Sequence, residues 1–152
     1  MSTQGKRRVF VGIGILSVLI FSGFYVAYAQ ATDSIVGQWN YATSKHWSKG
    51  PVPTGNPSTG IIAITQNGDQ LKMEVKSGMV FNPPDLKYFI GRKNDQEYVF
   101  SNRAIVDNEG GVAENTFSLK KTGTDQYAGK AFSQYSNGEI TFYWGFNITL
   151  TR

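Results

Sequence analysis

The chain has 152 residues, 40% of them hydrophobic, with no cysteine, one histidine and a formal charge of +4. This length and composition predict about one folded domain and exclude a disordered chain. The lack of cysteine excludes disulfides and thiolate metal sites, and a single histidine excludes a multi-histidine metal centre within one chain. Three of the 15 basic residues precede a long apolar stretch, and the 12 that follow it face 11 Asp and Glu. The folded part is therefore nearly neutral, which argues against a nucleic-acid partner.

Residues 1–29 have the pattern of an export segment. A basic start, Lys6-Arg7-Arg8, precedes the uncharged residues 9–26 and the small-residue sequence Ala27-Tyr28-Ala29. This pattern is typical of a signal peptide with its cleavage site, but the apolar stretch is also long enough to remain as a transmembrane helix and anchor the chain. In either case residues 30–152 lie outside the cytoplasm. We therefore predict a secreted, periplasmic or membrane-tethered domain of the cell envelope.

Past residue 34, apolar and polar residues alternate with a period of two, which is typical of strands with one buried face. Phe142, Trp144 and Phe146, for example, are separated by single residues in the last such segment. Turn clusters rich in Asn, Asp, Gly and Pro separate the segments, and no helix of ordinary length fits between them. The pattern predicts eight strands: Ile35–Thr43, Gly60–Gln66, Leu71–Gly78, Leu86–Gly91, Glu97–Val106, Val112–Lys121, Gln126–Gln134 and Ile140–Thr151.

The short connections between these strands favour antiparallel neighbours in sequence order. Closing such a meander into a barrel removes both exposed edges. An antiparallel sandwich is the alternative, but no long crossover connection of the kind a Greek key needs is visible. We therefore predict an all-β fold, an eight-stranded antiparallel up-and-down barrel over residues 30–152. A barrel of this size can hold either a filled core or one small ligand.

The two ends of the strand pattern resemble a known superfamily. Gly37-Gln38-Trp39 opens the first strand and Arg152 closes the last. This pairing is similar to that of the calycins, which comprise lipocalins, fatty-acid-binding proteins and avidins. The resemblance implies a lipocalin-like barrel whose closed end is structural, with Gly37 and Trp39 at the base and Arg152 stacked across the indole. Barrel closure independently brings the end of the last strand beside the start of the first.

The strand directions place the longest connection, Ser44–Thr59, at the end opposite Trp39. Long loops in compact domains are often lids or binding loops, and in lipocalins the first connection is also the large loop over the pocket entrance. We therefore predict a ligand-binding mouth there. The candidate residues are aromatic or apolar and comprise Trp47, Met79 and Phe81 at the mouth, with Tyr88, Tyr98, Phe142 and Trp144 lining the upper interior.

The sequence contains few residues that could form a catalytic or a metal-binding site. His46 could act as a general base, but it has no carboxylate partner nearby in sequence, so we interpret it as a loop residue. Asp107-Asn108-Glu109-Gly110 lacks the third spaced ligand and the distal Glu of a calcium loop. Trp39 is not followed by the Gly-Ser pair with which avidins bind biotin. We predict no catalytic residues, no metal and no cofactor.

Three functions follow from these patterns. The first is an exported lipocalin-like barrel that binds a small, mostly apolar ligand at its open end. The alternative is an interaction module of the cell envelope with a filled core and no ligand, in which outward residues such as Tyr143 would contact a protein or glycan. The third, an enzyme centred on His46, has the least support. The membrane would be a partner only through an uncleaved N-terminal segment, and the sequence does not define a protein partner.

Overall fold

The computed structural model describes residues 32–81, 83–106 and 110–152, and these form one closed barrel. Each strand pairs antiparallel with the next along the chain, and β8 pairs with β1 to close the circle. The predicted fold, an eight-stranded antiparallel up-and-down barrel, is confirmed. The strands are β1 Gly37–Lys49, β2 Thr59–Asn67, β3 Gln70–Val75, β4 Tyr88–Asn94, β5 Glu97–Ile105, β6 Val112–Gly123, β7 Gln126–Ser136 and β8 Thr141–Thr151.

The predicted signal peptide or anchor, residues 1–29, lies outside the described residues. Within the described ranges, no helix has the length and apolar character needed to cross a membrane.

Alternation along each strand builds the barrel wall. In β6, Asn115, Phe117 and Leu119 are buried, while the residues between them are more exposed. The hairpins after β2 and β4 turn within two residues, and Gly68 and Asp95 take the positive φ angles of 60° and 53° that such turns require. These tight turns lie at the end of the barrel that holds Trp39 and Arg152, which we call the closed end. The opposite end is the open end.

The first strand is longer than predicted because it contains a bulge. The β1–β8 register shifts between Ser44 and Trp47, and Lys45 takes a positive φ of 50°. β1 has one extra residue at the bulge, and its pairing with β8 continues beyond the bulge as far as Lys49. The predicted loop over residues 44–59 is therefore reduced to residues 50–58 at the open end.

The fourth strand begins later than predicted because a turn of 3-10 helix, Pro84–Lys87, precedes it. Asn102 of β5 holds this turn in place, since its Nδ2 donates to the carbonyl oxygens of Leu86 and Tyr88. The strand that follows turns Phe89 into the barrel, where it is fully buried.

The half of the barrel near the closed end has a filled aromatic core. The ring of Tyr127 packs edge-on against Trp39 at 5.0 Å and against Tyr98 at 5.7 Å. Ile148 and Leu150 of β8 complete this layer, and both are buried. Among the described residues, this packing fills the interior near the closed end, and the open space inside the barrel lies towards the open end.

Candidate functional site

At the closed end, Arg152 covers Trp39. The guanidinium carbon lies 4.2 Å from the centre of the indole, and Nη2 donates to the Val36 carbonyl oxygen at 2.7 Å. Gly37 passes so close beneath this guanidinium, with φ +133°, that a side chain there would meet Arg152. The structure thus places Gly37, Trp39 and Arg152 in one cluster that seals the base.

At the open end, a cavity of about 620 Å³ enters the barrel. This volume falls in the range of small-molecule sites. The rings of Phe89, Phe117 and Phe146 lie at its inner side, linked edge-on at centroid distances of 5.0 and 6.1 Å. The cavity is lined mainly by aromatic and apolar residues with a few polar ones: His46, Trp47, Val52, Pro53, Gly55, Asn56, Ser58, Gly78, Met79, Val80, Phe81, Leu86, Phe89, Val106, Ala113, Asn115, Phe117, Ser133, Tyr135, Phe142, Trp144, Gly145 and Phe146.

Five of the seven predicted ligand-binding residues border this cavity, and four of them, Met79, Phe81, Phe142 and Trp144, lie where we predicted. Met79 and Phe81 come from the β3–β4 connection and pack against the core, and the Phe81 ring lies 6.0 Å from that of Phe89. Phe142 and Trp144 come from β8, with their rings 5.6 Å apart. These four residues therefore form a wall from one connection between strands and one regular strand.

Tyr41 fixes the β3–β4 connection at the mouth. Its hydroxyl donates to the Ser77 carbonyl oxygen at 3.0 Å and accepts from the Met79 amide at 2.6 Å. Burial is the largest cause that raises the pKa of Tyr41 above its usual value of 10.0, and the raised pKa favours the neutral hydroxyl that makes these two bonds.

Trp47 is placed differently from the prediction. It borders the cavity, but its indole packs on the outer face over Gly145, 6.2 Å from the ring of Phe132. Trp47 and Phe132 are 44% and 42% exposed. The bulge at Lys45 causes this reversal, because one extra residue exchanges the inward and outward positions that follow it.

The same bulge turns His46 into the barrel. Its ring stacks on Phe146 at 5.0 Å, and its Nε2 pairs with Thr43 Oγ1 at 2.9 Å. Thr43 Oγ1 also accepts from the Ser58 amide at 2.8 Å, so His46 and the end of the 50–58 loop share one hydrogen-bond network. His46 belongs to none of the ion pairs formed by the described residues. It is thus a cavity-wall residue and not the loop residue that we predicted.

The prediction for Tyr88 is wrong. Tyr88 is 36% exposed on the outer face, where the Nζ atoms of Lys72 and Lys87 lie 4.5 and 5.1 Å from its ring centre. The 3-10 turn before β4 sets the alternation so that the next residue, Phe89, faces inward. Strand parity from the sequence alone could not detect this turn.

Tyr98 was predicted to line the upper interior near the mouth, and this position along the barrel axis is wrong. Tyr98 faces inward and is buried, but it lies at the closed end, where its hydroxyl donates to Asp33 Oδ1. It is the second residue of β5, and β5 starts from the tight turn at that end. It therefore belongs to the filled core below the cavity.

Two polar residues that the sequence reasoning missed also line the cavity. Asn115 and Ser133 are 8% and 6% exposed, and they are paired across β6 and β7. Alternation could have found Asn115, since it stands two residues before the inward Phe117. Ser133 gives no such signal, because a small polar residue is as common on the outer face of a strand as on the inner one.

The cavity carries no formal charge from the residues that the structure describes. None of its lining residues is Asp, Glu, Lys or Arg. The described ranges also contain no cluster of three or more His, Cys, Asp or Glu that could hold a metal ion. The acidic segment Asp107-Asn108-Glu109 lies outside these ranges. The cavity is therefore chemically suited to an uncharged, largely apolar molecule.

The fold and the cavity together define a class: a closed, eight-stranded antiparallel β-barrel with a ligand-sized cavity at one end, compatible with a lipocalin-like fold. Comparisons with family models, with curated proteins and with solved structures found no match for this chain.

Proposed function

We propose that this protein is a lipocalin-like barrel that binds a small, mostly apolar, uncharged molecule in the cavity at its open end. The observation that carries the proposal is the aromatic-lined cavity of about 620 Å³ above a filled lower core. Burying an apolar molecule there would gain roughly 25 cal/mol for each Å² removed from water. The absence of charged side chains among the described lining residues disfavours a charged ligand, whose desolvation nothing would offset.

The alternative of a filled barrel that serves only as an interaction module requires a core without ligand space. The volume above Phe117 argues against that requirement. An enzyme centred on His46 would need a second acid–base group, and the described partner of its Nε2 is the neutral hydroxyl of Thr43.

We also propose that the barrel acts outside the cytoplasm, on the basis of the export pattern in residues 1–29. Native mass spectrometry of the protein, extracted gently from its own host, tests location and cargo together. The polypeptide mass reports cleavage near Ala29 or retention of the leader. We expect an additional mass of a few hundred daltons that is lost on denaturation. A bare polypeptide that also fails to bind neutral aromatic probes would overturn the binding proposal.

Replacing Trp144 by Ala tests whether ligands bind in this cavity. The neutral probe N-phenyl-1-naphthylamine, which fluoresces in apolar surroundings, should bind the wild-type protein. Trp144→Ala removes a large ring from the cavity wall and should weaken binding by about tenfold, as expected for about 1.4 kcal/mol of lost apolar contact. Tyr143→Ala is the matched control, because this neighbouring ring lies on the outer face 5.9 Å from Phe132. Equal affinities of the two variants would reject the cavity as the binding site.

A further inference from the structure

Asn115 and Ser133 place two buried polar groups at the wall of an otherwise aromatic cavity. Both side chains are more than nine-tenths buried, at 8% and 6% exposure. They pair directly across β6 and β7, a relation that puts the Cβ atoms of such neighbours about 5 Å apart. Both residues belong to the cavity lining. The pair therefore forms a small polar patch inside the barrel.

The chemistry of Asn102 fixes the orientation of the Asn115 amide. Asn102 donates with its Nδ2 to the carbonyl oxygens of Leu86 and Tyr88, so its Oδ1 is left as an acceptor. The Nδ2 atom of Asn115 donates to this Asn102 Oδ1 at 2.9 Å. Two groups of Asn115 are then left: Oδ1, an acceptor without a donor among the described residues, and the second hydrogen of Nδ2.

The Ser133 hydroxyl is likewise without a hydrogen-bond partner in the described part of the chain. In that part of the chain, every fully buried side-chain oxygen or nitrogen has a hydrogen-bond partner. Ser133 Oγ and Asn115 Oδ1 have none, so they are not fully buried. Because both residues line the cavity, these atoms reach the cavity space. An occupant of the cavity can therefore donate to Asn115 Oδ1 and can both donate to and accept from the Ser133 hydroxyl, with the second Nδ2 hydrogen of Asn115 as a further donor.

A hydrocarbon occupant would cover both groups without satisfying them. Each buried group that loses its hydrogen bond weakens binding considerably, because its desolvation is not offset. A ligand hydroxyl removes this cost at both groups, since its hydrogen can donate to Asn115 Oδ1 while its oxygen accepts from Ser133 Oγ. A carboxylate cannot donate to Asn115 Oδ1, and it would carry a charge into a wall whose described residues supply no counter-charge.

Aromatic rings flank the polar patch on the β8 side. Ser133 pairs with Trp144, whose ring contacts Phe142 at 5.6 Å. Phe117 stands two residues from Asn115 on the same face of β6. An aryl group attached to the hydroxyl would therefore lie against these rings, where aromatic contacts add to the apolar burial.

We propose that Asn115 and Ser133 form a hydrogen-bonding subsite that selects uncharged aryl alcohols, of the phenol class, over hydrocarbons and carboxylates of the same shape. This inference rests on the proposed function, because it names the ligand chemistry of the same cavity.

The test compares two probes that differ by one hydroxyl, biphenyl and 4-phenylphenol, with 4-phenylbenzoate as the charged analogue. Dissociation constants are measured by ligand-observed NMR on the whole barrel. We expect the wild-type preference for 4-phenylphenol over biphenyl to fall by about fivefold in Ser133→Ala, the size of one net hydrogen bond. We expect 4-phenylbenzoate to bind more weakly than 4-phenylphenol.

Comparing a ratio between variants cancels the difference in hydrophobicity between the probes. Ser101→Ala is the matched control, because Ser101 is exposed on the outer face of β5 and its loss should leave the ratio unchanged. Asn115→Leu removes the acceptor without emptying the site, and it should also lower the ratio. Circular dichroism shows whether each variant keeps the barrel.

The outcomes separate the two proposals. An unchanged ratio in both Ser133→Ala and Asn115→Leu, with both probes still bound, would overturn the subsite and leave the binding function standing. Tighter binding of 4-phenylbenzoate than of 4-phenylphenol would overturn it as well. If the wild-type protein binds none of the three probes, the proposed function itself fails.

Discussion

At the scale of single residues, the contact of Arg152 with Trp39 ties the last residue of the chain to the first strand. The guanidinium carbon lies 4.2 Å from the centre of the indole, whose negative face attracts a cation, and Nη2 donates to the Val36 carbonyl oxygen at the same time. A cation over an aromatic ring and one charged hydrogen bond act together here. This is a larger contribution than that of an exposed ion pair, because water and salt screen the latter.

We expect Arg152→Ala to lower the free energy of unfolding by about 1–2 kcal/mol. Urea denaturation followed by tryptophan fluorescence measures the change. Arg103→Ala is the control, since Arg103 makes only an exposed pair with Glu114 at 2.8 Å and should cost less than about 0.5 kcal/mol. Equal losses in the two variants would mean that the indole contact contributes nothing.

At the scale of the elements, the bulge in β1 decides which of two neighbouring aromatic residues faces the cavity. Strict alternation from Trp39 would carry Trp47 inward and His46 outward. The extra residue at Lys45 reverses both. Lys45 adopts a left-handed backbone conformation that is unfavourable for a residue with a Cβ atom.

Replacing Lys45 by Gly tests this strain. We expect Lys45→Gly to raise the free energy of unfolding by about 0.5–1 kcal/mol, because glycine adopts a positive φ without the Cβ clash. Lys49→Gly, in the regular part of the same strand, should lower it by about 0.5–1 kcal/mol. Both are read from urea midpoints. A loss of stability in Lys45→Gly equal to that in Lys49→Gly would show that the bulge stores no strain.

The strand count and the closure could be derived from the sequence, because a period of two and tight polar turns leave few other arrangements. The Gly37–Trp39–Arg152 cluster was expected from the resemblance to calycins, and barrel closure supported the proximity of Arg152 and Trp39. Phe142 and Trp144 border the cavity because alternation in β8 is unbroken, and their role in binding stays a prediction.

Local breaks in alternation caused the failures at Trp47, His46 and Tyr88, whereas Tyr98 faces inward as expected but lies nearer the closed end than we predicted. The bulge before His46 and the 3-10 turn before Tyr88 depend on long-range pairing with β8 and β5. The bulge leaves no pattern in the chain itself, whereas Pro83, Pro84 and Asp85 are compatible with the start of a short helix but also with a simple turn.

At the scale of the whole molecule, the barrel divides into a solid closed end and a hollow open end. Tyr98 ties the solid end to the segment before β1, since its hydroxyl donates to Asp33. Burial, the largest cause, and this hydrogen bond raise the pKa of Tyr98 well above its usual value of 10.0. The folded state therefore favours the neutral phenol, whereas the unfolded chain ionises at about pH 10.

The sign of the resulting pH dependence follows from linkage. The stabilisation from Tyr98 is fully present below about pH 10 and is lost as the pH rises beyond it, because the unfolded state then releases the proton first. We expect urea midpoints to fall between about pH 10 and 12, and to fall less steeply in Tyr98→Phe. The urea midpoint of Tyr98→Phe should still fall somewhat with pH, because burial also raises the pKa of Tyr41. Tyr143→Phe, on the outer face, is the control, and a slope equal to that of Tyr98→Phe would contradict the assignment.

Both ends of the described chain lie at the closed end of the barrel. The Asp33 amide donates to Gln66 Oε1 at 2.9 Å, and the Arg152 amide donates to the Asp125 carbonyl at 3.3 Å, so each end is fastened to a closed-end strand or turn. Anything that holds the protein by either end, whether a preceding segment, a fused tag or a sensor surface, holds it by the base. The mouth then faces the surrounding solution, and molecules can enter and leave it without passing the support.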